Sequence, residues 1–144
     1  DVFNAPTVHL DEVEALAPGT IVLASNAMSQ VQSAEMRAGR AVAWAVQYHP
    51  EYPLRELSAI VRRTGARLIR EGFFADDQDL ESFARDLDAL DRDPACKRLS
   101  WRHGVSSNVL DPKLRTSEIA NWIEFQVLPT RVKRGRGDQS RGTP

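Results

Sequence analysis

At Pro53 the hydrophobic period of this 144-residue chain changes, and that change limits the folds open to it. Before it lie three short apolar or alternating runs, Thr20–Ser25 (TIVLAS), Val31–Arg37 (VQSAEMR) and Ala41–Gln47 (AVAWAVQ). Short runs of this kind read as strands. The second and third are linked through Ala38-Gly39-Arg40, where Gly39 can take a positive φ, so the spacing predicts a hairpin and an antiparallel meander. After Pro53, Leu54, Leu57, Val61 and Leu68 fall on one helical face. Proline suits the first turn of a helix and glycine its end, which predicts one helix from Pro53 to Glu71 capped by Gly72. Strands first and helices after them define a mixed α/β chain.

More helix follows. Acid-rich residues 76–93 carry Leu80, Phe83, Leu87 and Leu90 at helical spacing, and their charges read as a solvated face. A further helix is expected from Pro94 behind Asp93, and another from Pro112 behind Asp111 carrying Ile119, Trp122 and Ile123. Trp101, Trp122 and Phe125 are expected to anchor a core or an interface. The first 19 residues, with Pro6, Pro18 and Gly19, read as irregular. The basic, glycine-containing stretch 131–144 has the composition of a disordered tail.

With 42% hydrophobic residues the chain has material for a modest core. Its 19 basic and 20 acidic side chains leave a net charge of -1, which argues against nucleic acid as the main partner. The lone Cys96 excludes an internal disulfide and a cysteine metal cluster, and it fits a reduced, cytoplasmic setting. Nothing in the pattern asks for a metal or a cofactor. No apolar run is long enough to span a membrane, and no leader is visible. The first residue is Asp1 rather than methionine, so the expectation is a piece of something longer.

The strand-to-helix junction holds His49-Pro50-Glu51. In an extended segment, residues i and i+2 share a side about 6.5 Å apart. Pro50 pushes His49 toward the β region, and Pro53 does the same to Tyr52. A carboxylate beside an imidazole can accept the Nδ1 hydrogen and leave Nε2 as a base. That is an orienter and a base without a nucleophile. The alternative is a strand-end histidine that merely bonds its neighbour. The position behind an apolar strand, where α/β sheets carry catalytic groups, favours chemistry.

The segment Trp44–Pro53 (WAVQYHPEYP) resembles the strand-borne G-x-Q-F/Y-H-P-E segment of the class I glutamine amidotransferases, the family related to the glutaminase domain of GMP synthase. Ala45 stands where glycine is usual. Upstream, VHLDEVEALAPGTIVLAS is similar to that family's H-x-D-x-V-x-x-L-P-x-G-x-x-x-L-A-x-S block. The likeness covers about residues 3–72. It implies the C-terminal part of a flavodoxin-like α/β amidotransferase domain in residues 1–72; beyond Gly72 the likeness stops and the helices make an extension over 73–130. It also implies a Cys-His-Glu triad releasing ammonia from glutamine, with His49 as base and Glu51 as its orienting partner. In the family, backbone just after the histidine of the HLDEV segment touches the substrate, which points to Leu10 and Asp11. A turn in which Asp11 caps the next residues is the structural alternative.

The family's nucleophile elbow, G-x-C-x-G, is not among these residues, so a missing N-terminal portion is the expected partner. Cys96 follows the histidine and lacks flanking glycines, and it reads as a small buried residue. His103 sits at a predicted helix end, favourable for the helix dipole. Three readings stay open: part of a glutaminase, an inactive amidotransferase-like protein, and a helical module binding DNA or protein. Trp101–Leu110 permits the last, but Pro112 interrupts any recognition helix. Packing of the helices on the core or on a second copy of the chain accounts for them better.

Overall fold

The computed structural model describes residues 2–131. Three strands, β1 (Thr20–Ala24), β2 (Ser33–Ala38) and β3 (Ala41–Val46), form an antiparallel sheet in the order β1-β2-β3. Ala38 pairs with Ala41 across a two-residue loop. Gly39 has φ +59° and Arg40 a negative φ, the sign pattern of a type II′ turn, whose twist matches that of the strands. Across the hairpin Glu35 faces Trp44 and accepts its indole N–H at 2.8 Å. The expected meander is present. Ile21, Leu23 and Met36 stay exposed on it.

Helix α1 spans Leu54–Arg70, with Pro53 as the extended residue before it. Its end is a full Schellman motif: Gly72, at φ +82°, donates to the Ile69 carbonyl and Phe73 to that of Leu68. Helix α2 spans Asp77–Arg92, and the Asp76 carboxylate caps it by accepting from the Asp79 N–H. The two pack as an antiparallel pair. Gly65 allows the close approach, since a Cβ there would stand 2.9 Å from Leu80 Cδ1. Leu54, Leu87, Leu90, Leu99 and Val109 form the core cluster, with Cys96 half-buried against it.

The acidic face of α2 is not simply solvated. Glu81 and Asp88 lie along the flank that meets α1, where Arg62 donates to both at 2.9–3.0 Å and Asp88 accepts from the buried Ser58 hydroxyl. Asp91 accepts from Arg55, and Asp86 from His103 and Arg102. Periodicity identified the face; it could not supply the arginines opposite.

Two further expectations change. Pro94 does not begin a helix: Asp93–Cys96 closes a turn, and α3 starts at Lys97, running to Arg102. Asp111 does cap a helix at Pro112, but the segment is broken into α5 (Pro112–Arg115), α6 (Ser117–Trp122), a π-helical turn (Ile123–Val127) and α7 (Leu128–Arg131). A one-turn helix, α4 (Ser107–Leu110), precedes them and is too short for groove recognition. Trp101 and Phe125 are 80% and 60% exposed, and Ile119, Trp122 and Ile123 are exposed too, so none of these is core among the described residues. Residues 132–144, which hold nearly all of the expected basic tail, lie outside the described residues. No helix among the described residues is long and apolar enough to cross a membrane.

Candidate active site

Among the described residues, no strand packs broadly against a helix. The layers are joined by the N-terminal segment and by the turn behind β3. Thr7 bridges to Tyr48, and Pro6 accepts the His49 N–H at 2.7 Å. Phe3 packs edge-on against the Tyr48 ring. Tyr48 is buried, so the residue before His49 is anchored.

His49 Nδ1 and Glu51 Oε1 stand 2.8 Å apart, as the sequence suggested, but the backbone between them is not extended. The Tyr52 N–H donates to the His49 carbonyl at 3.2 Å and closes a β-turn. Pro50 at the second position pre-sets that turn, and a negative φ at Glu51 makes it type I rather than type II. The turn does more than an extended chain would. It lays the Tyr52 ring flat on the His49 ring, centroids 4.1 Å apart and planes within 2°. One face of the imidazole is thereby covered.

Burial pushes the Glu51 carboxyl up, and hydrogen bonds from His49 and within its own residue outweigh that, holding it below the usual carboxylate range. An ionised carboxylate can only accept, so Nδ1 carries the hydrogen and Nε2 keeps a lone pair. His49 is 29% exposed and Glu51 52%, so that lone pair is reachable. The arrangement can take up a proton at Nε2 and stabilise the resulting cation.

Leu10 and Asp11 lie on a neighbouring loop. The Asp11 carbonyl faces His9 Nδ1 at 2.8 Å and accepts from Gln47 Nε2 at 3.4 Å. No helix follows Asp11, so the capping alternative fails. Among the described residues, the Leu10 and Asp11 N–H groups donate to no backbone carbonyl. Both residues line an open groove of about 1460 Å³ whose other wall includes Leu57, Val61 and Leu68 of α1. Gln47 lines it too, whereas His49 and Glu51 do not. Cys96 lies with the helical core rather than at the His49 turn. His103 caps α3 and contacts Asp86 and Phe83. Among the described residues, no cluster of three or more His, Cys, Asp or Glu side chains is placed to hold a metal ion.

Sequence reasoning missed Tyr52, Arg115 and Glu118. Tyr52 was readable, since a Pro at the second turn position brings residues i and i+3 together. Arg115 and Glu118 reach the turn only through tertiary structure.

Over 130 residues the chain is 29% identical to a gamma-glutamyl-L-1-hydroxyisopropylamide hydrolase from a Pseudomonas species, covering 89% of this chain and 43% of that protein. The chain thus spans less than half the length of this relative. No family model matches the chain. No solved structure matches it.

Proposed function

We propose that this chain is part of a hydrolase of γ-glutamyl amides, glutamine included, working through a Cys-His-Glu triad for which it supplies His49 and Glu51. The observation that carries this is the His49–Glu51 pair, with Nδ1 held and Nε2 left free. The relative's name supports the same bond type, an amide on a γ-glutamyl carbonyl. Residues 1–72 would be the C-terminal portion of a flavodoxin-like class I amidotransferase domain, and 73–130 its helical extension. Leu10 and Asp11 would meet the amino-acid end of the substrate through their free N–H groups.

The thiol comes from outside these residues, since Cys96 belongs to the helical core. The apolar groove beside Asp11 is the space its segment would fill. Nε2 takes the thiol proton and the thiolate attacks the γ-carbonyl. The imidazolium then protonates the departing ammonia or amine. Water, deprotonated by Nε2, releases glutamate from the thioester. The exposed helices α6 and α7 leave a face on which a second copy of the chain would sit.

The test is release of ammonia or amine from glutamine and from γ-glutamyl alkylamides. The 144-residue chain alone should be inactive. Joined to a segment carrying a G-x-C-x-G elbow, encoded upstream of Asp1, it should hydrolyse both. An upstream sequence without such an elbow, or full activity of the 144 residues alone, would overturn the reading.

A further inference from the structure

Two side chains of the helical extension reach back 65 and 70 residues to the turn that holds His49. Arg115 Nε donates to the Pro50 carbonyl at 3.2 Å while its Nη1 donates to the Val109 carbonyl at 2.9 Å. Glu118 Oε2 accepts the Tyr48 hydroxyl. The extension therefore grips the residue before His49 and the residue after it. Pro50 has no N–H, so its carbonyl is its one hydrogen-bonding handle, and Arg115 occupies it. Burial of the Tyr48 phenol, with the bond to Glu118, raises its pKa, so the hydroxyl stays protonated and keeps donating.

We propose that Arg115 and Glu118 are positioning residues for His49, holding the turn on both sides so that the imidazole keeps its bond to Glu51 and its aim. The proposal rests on reading His49 as the base. The other contacts at the turn do not replace these two. The Pro6 and Tyr52 bonds fix the backbone of His49 itself, and the Tyr52 ring covers one imidazole face. The Pro6 bond also holds the turn from outside, but at the His49 backbone. Arg115 and Glu118, carried on α5 and α6, hold the two residues that flank His49. Displacement of a catalytic group by about 1 Å can cost on the order of a hundredfold in rate.

Four variants test this: Arg115→Ala, Arg115→Lys, Glu118→Ala and Tyr48→Phe. The first measurement is the long-range 1H–15N correlation of the His49 ring, which reads tautomer and environment without turnover. The wild type should show one tautomer with hydrogen on Nδ1. Arg115→Ala and Tyr48→Phe should give a mixture of tautomers, and Arg115→Lys, which can still donate to the Pro50 carbonyl, should restore most of the wild-type signal. In the protein joined to its nucleophile segment, Arg115→Ala should lower kcat about tenfold or more with KM within about twofold. Ring signals unchanged in folded Arg115→Ala and Tyr48→Phe, whatever their stability, would overturn the proposal. Should Arg115→Ala or Tyr48→Phe fail to fold, Glu118→Ala, which leaves the Tyr48 hydroxyl without its acceptor, decides it, and an undisturbed His49 ring there overturns it. If the wild type hydrolyses no γ-glutamyl amide, the proposed function falls, while the ring signals still report whether the clamp orients His49.

Discussion

An imidazole whose Nδ1 hydrogen is held by an ionised carboxylate has one nitrogen left to do work. At His49 that nitrogen is Nε2, and the hold is a 2.8 Å bond within a tight turn. On the proposed reading, removing the ring removes the base altogether, whereas changing the carboxylate only loosens it. In the protein joined to its nucleophile segment, His49→Ala should therefore lower kcat by roughly three orders of magnitude or more, and Glu51→Gln by less. Ammonia release from glutamine measures both. Rates near wild type in His49→Ala would make the His-Pro-Glu turn architecture only. Tyr52→Leu, which keeps an apolar cover but removes the stacked ring, should have the mildest effect of the three.

The helix pair α1–α2 combines an apolar seam with a charged flank, and the two respond differently to perturbation. Burial raises Asp88, but the Ser58 hydroxyl and Arg62 outweigh it and hold the carboxyl below its ordinary value; Arg62 does the same to Glu81. A group depressed on folding contributes stability that is present above its unfolded pKa and lost as pH falls through the folded one. The unfolded values lie at about 4, so thermal stability should hold from neutral pH to there and drop below it. Arg62→Gln should flatten that acid limb, which melting curves between pH 7 and pH 3 would show; an unchanged limb would rule the network out as its cause. In the seam, Gly65→Ala places a Cβ against the tip of the Leu80 side chain. The gain of about 1 kcal/mol in helix propensity should nearly offset the clash. Gly65→Leu cannot be absorbed so cheaply and should cost about 1–3 kcal/mol, read from urea midpoints.

At the scale of the molecule, the sheet and the helices are two layers held together by a few segments, with an open groove between the Asn4–Asp11 stretch and the apolar side of α1. Exposed apolar residues on the sheet add to that surface. The 144-residue chain should accordingly bind a hydrophobic dye, and joining it to the proposed nucleophile segment should abolish most of that binding and sharpen the melt. A chain that is monomeric, dye-free and fully cooperative by itself would count against a partner segment in the groove.

Local signals in the sequence determined the element types: the short runs of β1 to β3, the glycine of the hairpin, the Asp111 cap and the helical period of α1 and α2. They also picked out His49 and Glu51, because two residues one proline apart need only local geometry to meet. What they could not determine depends on residues far apart in the chain. The arginines of α1 find the acids of α2 only when the helices cross. Tyr48 finds Glu118 only when the extension folds back. Ile119, Trp122 and Ile123 carry the periodicity of a core but lie on the surface, because hydrophobic spacing defines a face and not what covers it. Even the turn at Pro50 was open locally, since proline permits both extended and turned chains. The closing Tyr52–His49 bond and the anchoring of Tyr48 and Pro50 from distant segments decided between them.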